Sequence, residues 1–141
     1  MAEQGMDFIR SMSIATSGLR AQAGRMRVIS ENIANADSTA QTPGGDPYRR
    51  KVPTFSSTLD RSLDARVVSL GRIRPDNSDF RIKHEPGNPA ADANGNVKYP
   101  NVNSVIEMTD MRDAQRSYEA NLNIISATRR MIQRTLDILK A

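Results

Sequence analysis

Cysteine and tryptophan are absent from the 141 residues, histidine occurs once, at His84, and aromatic residues make up only 4%. Without cysteine there is no disulfide, no thiol nucleophile and no thiolate metal site, and the redox compartment is not written in the chain. One imidazole is too few for the usual histidine-based metal and acid–base constellations within a single chain. With 38% hydrophobic residues and so few rings, material for a large globular core is short. No stretch approaches the ~20 apolar residues of a bilayer-crossing helix, so the chain is not membrane-inserted. Asp7, Arg10, Ser11 and Ser13 interrupt every short apolar run near the start, so no signal-peptide core is present. A chain of this kind acting outside the cytoplasm is expected to leave without a cleaved leader.

What is present is charge, with a net of +4. Basic residues are dispersed among acidic ones, and the only run of three, Arg49-Arg50-Lys51, reads as solvated surface. Arg72, Arg74, Arg81 and Lys83 would make a basic β-face, but base-stacking readers interleave aromatics and only Phe80 lies among them. A basic coiled-coil module that binds nucleic acid is therefore the second reading. Catalysis finds less support. His84 and Glu85 are neighbours that a strand would point to opposite faces. Asp92, Asn94 and Asn96 alternate as in a calcium loop, but Val97 and Asn103 stand where that loop needs Gly and Glu. Gly44-Gly45 leads into Asp46-Pro47, with no phosphate-binding lysine and helix after it. The chain reads as a non-enzyme without cofactor or metal.

Three segments follow from composition: residues 1–39, helical; 40–103, irregular and β-rich; 104–141, helical. The seam Phe8, Met12, Ala15, Leu19, Gln22, Met26, Ile29, Ile33 alternates steps of four and three, a heptad pattern with one polar member. Met108, Met111, Gln115, Tyr118, Leu122, Ile125, Arg129, Ile132, Leu136 and Leu139 repeat it near the other end. Gln22, Gln115 and Arg129 either set register inside the seams or lie at their edges in water. A helix from Phe8 to Asn35 would be roughly 42 Å long and one from Val105 to Leu139 roughly 52 Å at 1.5 Å per residue, longer than a compact domain of this size is wide. The fold class is mainly α with a small β-rich insert. Its two long terminal helices are expected to form an elongated, coiled-coil-like hairpin or to pack against other chains. The middle holds all seven prolines; Phe80, Ile82 and His84 alternate as a strand, Val67 to Ile73 is a shorter apolar stretch, and Asn94-Gly95 signals a tight turn. Such an insert is expected to need support from neighbouring subunits.

The first helix closes on "SENIANADST", Ser30 to Thr39. Asn35 suits a helix end because asparagine tolerates the left-handed conformation. Asn32, one turn earlier, is a poor helix former with a side chain free to bond something nearby, and the pair is expected to hold the helix end and its loop against backbone of an adjacent helix or subunit.

The runs "SGLRAQAGRMRVISENIANADST", "DPYRRKVPTF", "EPGNPAADANGNVKYPNVN" and "EMTDMRDAQRSYEANLNIISATRRMIQRTLDIL" together resemble the axial proteins of the bacterial flagellum, the rod and hook family, and within it the proximal rod subunits. They cover over half the chain; Ser56 to Asp79 has no clear match. The resemblance implies a structural subunit whose terminal helices assemble into the inner tube of a helical rod, a drive shaft for motility. It implies partners in copies of itself, other proximal and distal rod proteins and a ring-to-rod adaptor, and passage through the flagellar type III export apparatus. Phe8 to Met12 resembles the export-gate motif of such subunits, although both residues are also seam members. The assembly residues expected on the first helix are Leu19, Met26, Ile29, Asn32, Ile33 and Asn35. On the second they are Tyr118, Glu119, Asn121 and Leu122, which resemble the family's C-terminal signature, with Ile125, Ile132 and Leu136.

Overall fold

The computed structural model describes residues 2–140. Helix α1 runs Ala2–Ala34 and helix α2 Ser104–Lys140, uninterrupted by proline. Between them lie six short strands, β1 (Lys51–Val52), β2 (Phe55–Asp60), β3 (Ala65–Leu70), β4 (Arg74–Pro75), β5 (Arg81–His84) and β6 (Asn96–Tyr99). They pair antiparallel in three two-stranded sheets, β1 with β4, β2 with β3 and β5 with β6. The chain is thus mainly helical with a small strand region, as its composition and periodicity indicate.

Contacts divide the chain across the three sequence segments rather than along them. One compact unit takes α1 up to Met26, Thr54–Arg72 and α2 from Asp113 on; the other takes Arg27–Pro53 and Ile73–Arg112.

In the first unit the buried apolar residues are alanines, Ala15, Ala21, Ala65 and Ala114. Small side chains let backbones approach closely. A Cβ on Gly18 would lie 2.9 Å from the Asn121 amide nitrogen, and one on Gly24 2.9 Å from Leu70 of β3. Phe8 and Ile9 share a cavity of about 310 Å³ with Ile132, Leu136 and Leu139. Gly18 meeting Asn121 while Phe8 meets Ile132 is the order of antiparallel helices. The β2–β3 hairpin lies on α1: Arg10 Nε donates to Leu63 O at 2.6 Å and Val68 N to Ser17 Oγ at 3.2 Å.

The heptad seam on α1 is borne out, since Phe8, Met12, Ala15, Leu19, Gln22, Met26, Ile29 and Ile33 are all buried or half-buried. On α2 the periodicity is right but half the positions are off by one. Met111, Tyr118, Ile125 and Ile132 face inward, alternating with Glu107, Ala114, Asn121 and Thr128, while Met108, Gln115, Leu122, Arg129 and Leu136 are exposed. The facing surface is crowded by Gly18 and the alanines, so small and polar residues fit where the larger apolar ones do not. Gln115 and Arg129 are therefore outside the seam with their heads in water. Gln22 remains in it, its Oε1 buried without a hydrogen-bond partner.

In the second unit the buried residues include Val28, Ile29, Ala36, Ala90, Val97 and Val102. Of the Val67 to Ile73 stretch, residues up to Leu70 belong to β3 of the first unit, and Ile73, in the second, is exposed. Alternation at Phe80 to His84 becomes β5, exposed throughout. Gly95, at φ 78°, turns the chain into β6, and Asp92 Oδ1 accepts from Asn94 N and Asn96 N at 2.8 and 2.9 Å. That carboxylate serves the turn. Asn103 caps α2, its Oδ1 accepting from Val105 N at 3.1 Å.

Candidate assembly site

The second unit is organised around Asn32, which has no exposed surface. Its Nδ2 donates to Lys51 O at 2.8 Å and to Glu107 Oε2 at 3.1 Å; its Oδ1 accepts from Lys51 N at 2.9 Å and Tyr48 OH at 2.9 Å. The amide thus bridges α1, the backbone of β1 and the first turn of α2, which answers why it stands within a helix. Asn35 acts locally. Its Nδ2 donates to Glu31 O at 2.9 Å and its Oδ1 accepts from Ser38 Oγ at 3.1 Å. The helix does not end there in a left-handed residue: Asp64, at the β2–β3 turn, is the only non-glycine with positive φ among the described residues.

Glu107, 1% exposed, also accepts from Arg50 Nε. Arg50 reaches Asp76 Oδ2 at 3.3 Å and Asp110 Oδ2 at 3.7 Å. Burial works against the Arg50 charge, but the hydrogen bonds and charges of Glu107 and Asp76 outweigh it and raise its pKa. Tyr48 is pushed up to about 12, first by burial and then by the charges of Glu31 and Glu107. Asn101 completes the cluster, accepting from Arg50 N at 2.8 Å and donating to Asp76 O at 3.0 Å.

The basic run is therefore not solvated surface. Arg49 stacks 4.2 Å from the Phe80 ring centre and donates to Asp76 O, Arg50 serves Glu107, and Lys51 pairs with Glu31. Two members of the basic β-face are engaged likewise, while Arg72 and Arg74 are exposed. Arg81 donates to Pro100 O and Ala36 O at 3.1 Å, and the Lys83 ammonium sits 4.4 Å from the Tyr99 ring. Sequence reading missed Tyr48, Arg50, Asp76, Asn101 and Glu107. The one available signal was an acidic residue in the first turn of α2 following its Asn103 cap.

The expected assembly residues separate into two groups. Ile29 and Asn32 are enclosed within the chain, and Asn121 lies against Gly18, so all three serve its own fold. Leu19, Met26, Ile33, Asn35, Tyr118, Ile125 and Ile132 are half-buried, whereas Glu119, Leu122 and Leu136 are exposed. Beyond these, α2 leaves Val105, Ile106, Met108, Ile124, Met131, Ile138 and Leu139 exposed. Ile124, Met131 and Ile138 stand seven residues apart and so share one face of the helix.

A polar cluster that braces its own fold, beside long helices with uncovered apolar faces, has the features of an assembling structural subunit. Family comparison agrees: residues 12–40 match the family model "Flagella basal body rod protein", and residues 93–138 match "Flagellar basal body rod FlgEFG protein C-terminal". This is a flagellar basal-body rod protein.

Among its relatives, the flagellar basal-body rod protein FlgC of Agrobacterium fabrum is 56% identical over 91% of this chain and 92% of its own. FlgC of Salmonella typhimurium is 38% identical over 94% of this chain and 98% of its own, and that of Bacillus subtilis 37% identical over 96% and 100%. The chain belongs to the FlgC family, and it is a structural subunit of the proximal rod of the bacterial flagellar basal body. The nucleic-acid reading finds no support in these relatives.

Proposed function

We propose that the chain builds the proximal rod by laying the outward faces of its terminal helices, as an elongated coiled-coil-like hairpin, against other copies and other rod proteins. The tube so formed crosses the periplasm and carries torque outward. Close-packed helix contacts make a stiff shaft because packed interiors transmit strain. The observation that carries this is the row of exposed apolar residues on α2, Ile124, Met131 and Ile138 among them. Isolated apolar side chains on a surface are ordinary, but a regularly spaced row is the mark of a face awaiting a partner. Assembly residues on this reading are the exposed Glu119, Leu122 and Leu136 and the outer edges of the half-buried Leu19, Met26, Ile33, Tyr118, Ile125 and Ile132, while Asn32 and Asn35 brace the end of α1.

Partners are proximal and distal rod proteins, a ring-to-rod adaptor and the flagellar type III export apparatus, through which the chain passes. The chain catalyses no reaction and holds no cofactor. Mass spectrometry of purified basal bodies tests the whole: the chain should be present, and its absence would overturn the reading.

A further inference from the structure

The β2–β3 hairpin has one edge on α1 and one edge open. Gly71 N donates to Thr54 O at 2.6 Å, and the register runs without a bulge from Phe55 opposite Leu70 to Asp60 opposite Ala65. In an antiparallel ladder, inward and outward backbone groups alternate. Ser56, Thr58 and Asp60 therefore turn their groups toward β3, and Phe55, Ser57 and Leu59 turn theirs outward. Val68, opposite Ser57, agrees: its N–H points away from β2, to Ser17. The open edge from Phe55 to Leu59 carries no charge, proline or bulge, the devices that keep exposed edges from pairing.

A second open edge has the opposite character. Glu85 N donates to Gly95 O at 2.8 Å, so along β5 the outward groups belong to Ile82 and His84. Arg81 and Lys83 flank them, folded back onto Pro100 O and the Tyr99 ring.

We propose that β2 is a strand-addition edge and that its occupant is β5 of a second copy of this chain. The proposal rests on the reading of the chain as a rod subunit, which sets copies side by side. Pairing β5 with β5 would juxtapose like charges, which is unfavourable. Pairing β2 with β2 would be two-fold and would close, whereas a rod needs unlike patches that propagate. Antiparallel pairing of β2 with β5 is heterologous, and with Leu59 opposite Ile82 it sets Asp60 opposite Arg81. Each antiparallel register that joins the outward groups puts Ile82, 66% exposed, on the face of Phe55 and Leu59.

The absence of cysteine makes the test clean. A Ser57→Cys, Ile82→Cys double variant replaces the wild-type chain in motile cells, and isolated basal bodies are treated with a short bismaleimide and run on a denaturing gel. Chain-to-chain dimers are expected with the double variant and with neither single one. Dimers from Ser57→Cys alone mean two-fold β2 pairing and overturn the proposal, as does their absence from basal bodies that contain the chain. Ser57→Pro is the second arm, since its missing N–H is an outward one and the hairpin ladder is kept. Incorporation into basal bodies should fall severalfold while the circular dichroism of the purified chain is unchanged; normal incorporation overturns the proposal. Wild-type basal bodies run alongside separate the two readings, because a wild-type chain missing there removes the rod assignment itself.

Discussion

A carboxamide offers two hydrogens and two acceptor positions, and Asn32, without exposed surface, engages all four. Replacing it with Leu would leave the Lys51 backbone, Tyr48 OH and one oxygen of Glu107 short of partners, each orphaned buried group costing about 1–3 kcal/mol. Asn32→Leu should therefore lower stability by about 3 kcal/mol or more, whereas Asn35→Leu loses only local bonds, typically about 1 kcal/mol. The urea midpoints of the two variants measure the difference; equal shifts would remove the bridging role. Tyr48 adds a pH signature. Its folded pKa of about 12 lies above the ordinary value of 10, so its contribution is complete below pH 10 and is lost as pH rises toward 12. Tyr48→Phe should flatten the alkaline fall in stability across that window. At this scale the sequence marked Asn32 as anomalous but gave no view of its partners. Those partners come from residues 19 and 75 positions away, a distance no local pattern spans.

Helix existence and period were legible because both elements are long, proline-free and apolar at regular spacing. The phase of α2 was not. Its inner face is set by what it meets, and it meets Gly18 and alanines, so Ala114, Asn121 and Thr128 are inside while Leu122 and Leu136 are out. Glycines test this packing. Nothing lies within 4 Å of a Cβ built on Gly5, so Gly5→Ala should gain roughly the 0.5–1 kcal/mol by which alanine exceeds glycine in a helix. At Gly18 the same methyl would displace the Asn121 amide, so Gly18→Ala should gain nothing, and Gly18→Val should destabilise by about 1–3 kcal/mol through overpacking. Thermal melts of the three variants decide it. Of the β2–β3 hairpin only β3 was foreshadowed, by the Val67 to Ile73 stretch; β2 was missed, since "FSST" has neither the alternation nor the turn dipeptide that announces a hairpin.

At the scale of the whole molecule, the proposed assembly draws on residues other than those that hold the fold. Val28, Ile29, Asn32 and Glu107 are enclosed and hold the chain together, while the α2 row at Ile124, Met131 and Ile138 is open to solvent. Exposed substitutions away from caps and networks usually change stability by no more than about 0.5 kcal/mol. Changing all three to Ser should therefore leave the folded chain near wild-type stability and abolish its incorporation into rods, with swimming lost. The control is Arg112, Arg116 and Arg130, also exposed on α2, changed together to Gln. If packing of apolar faces drives assembly, the arginine variant should still swim in soft agar. If instead the serine variant swims and the arginine variant does not, charge recruits the neighbours, and the apolar row is surface without a partner.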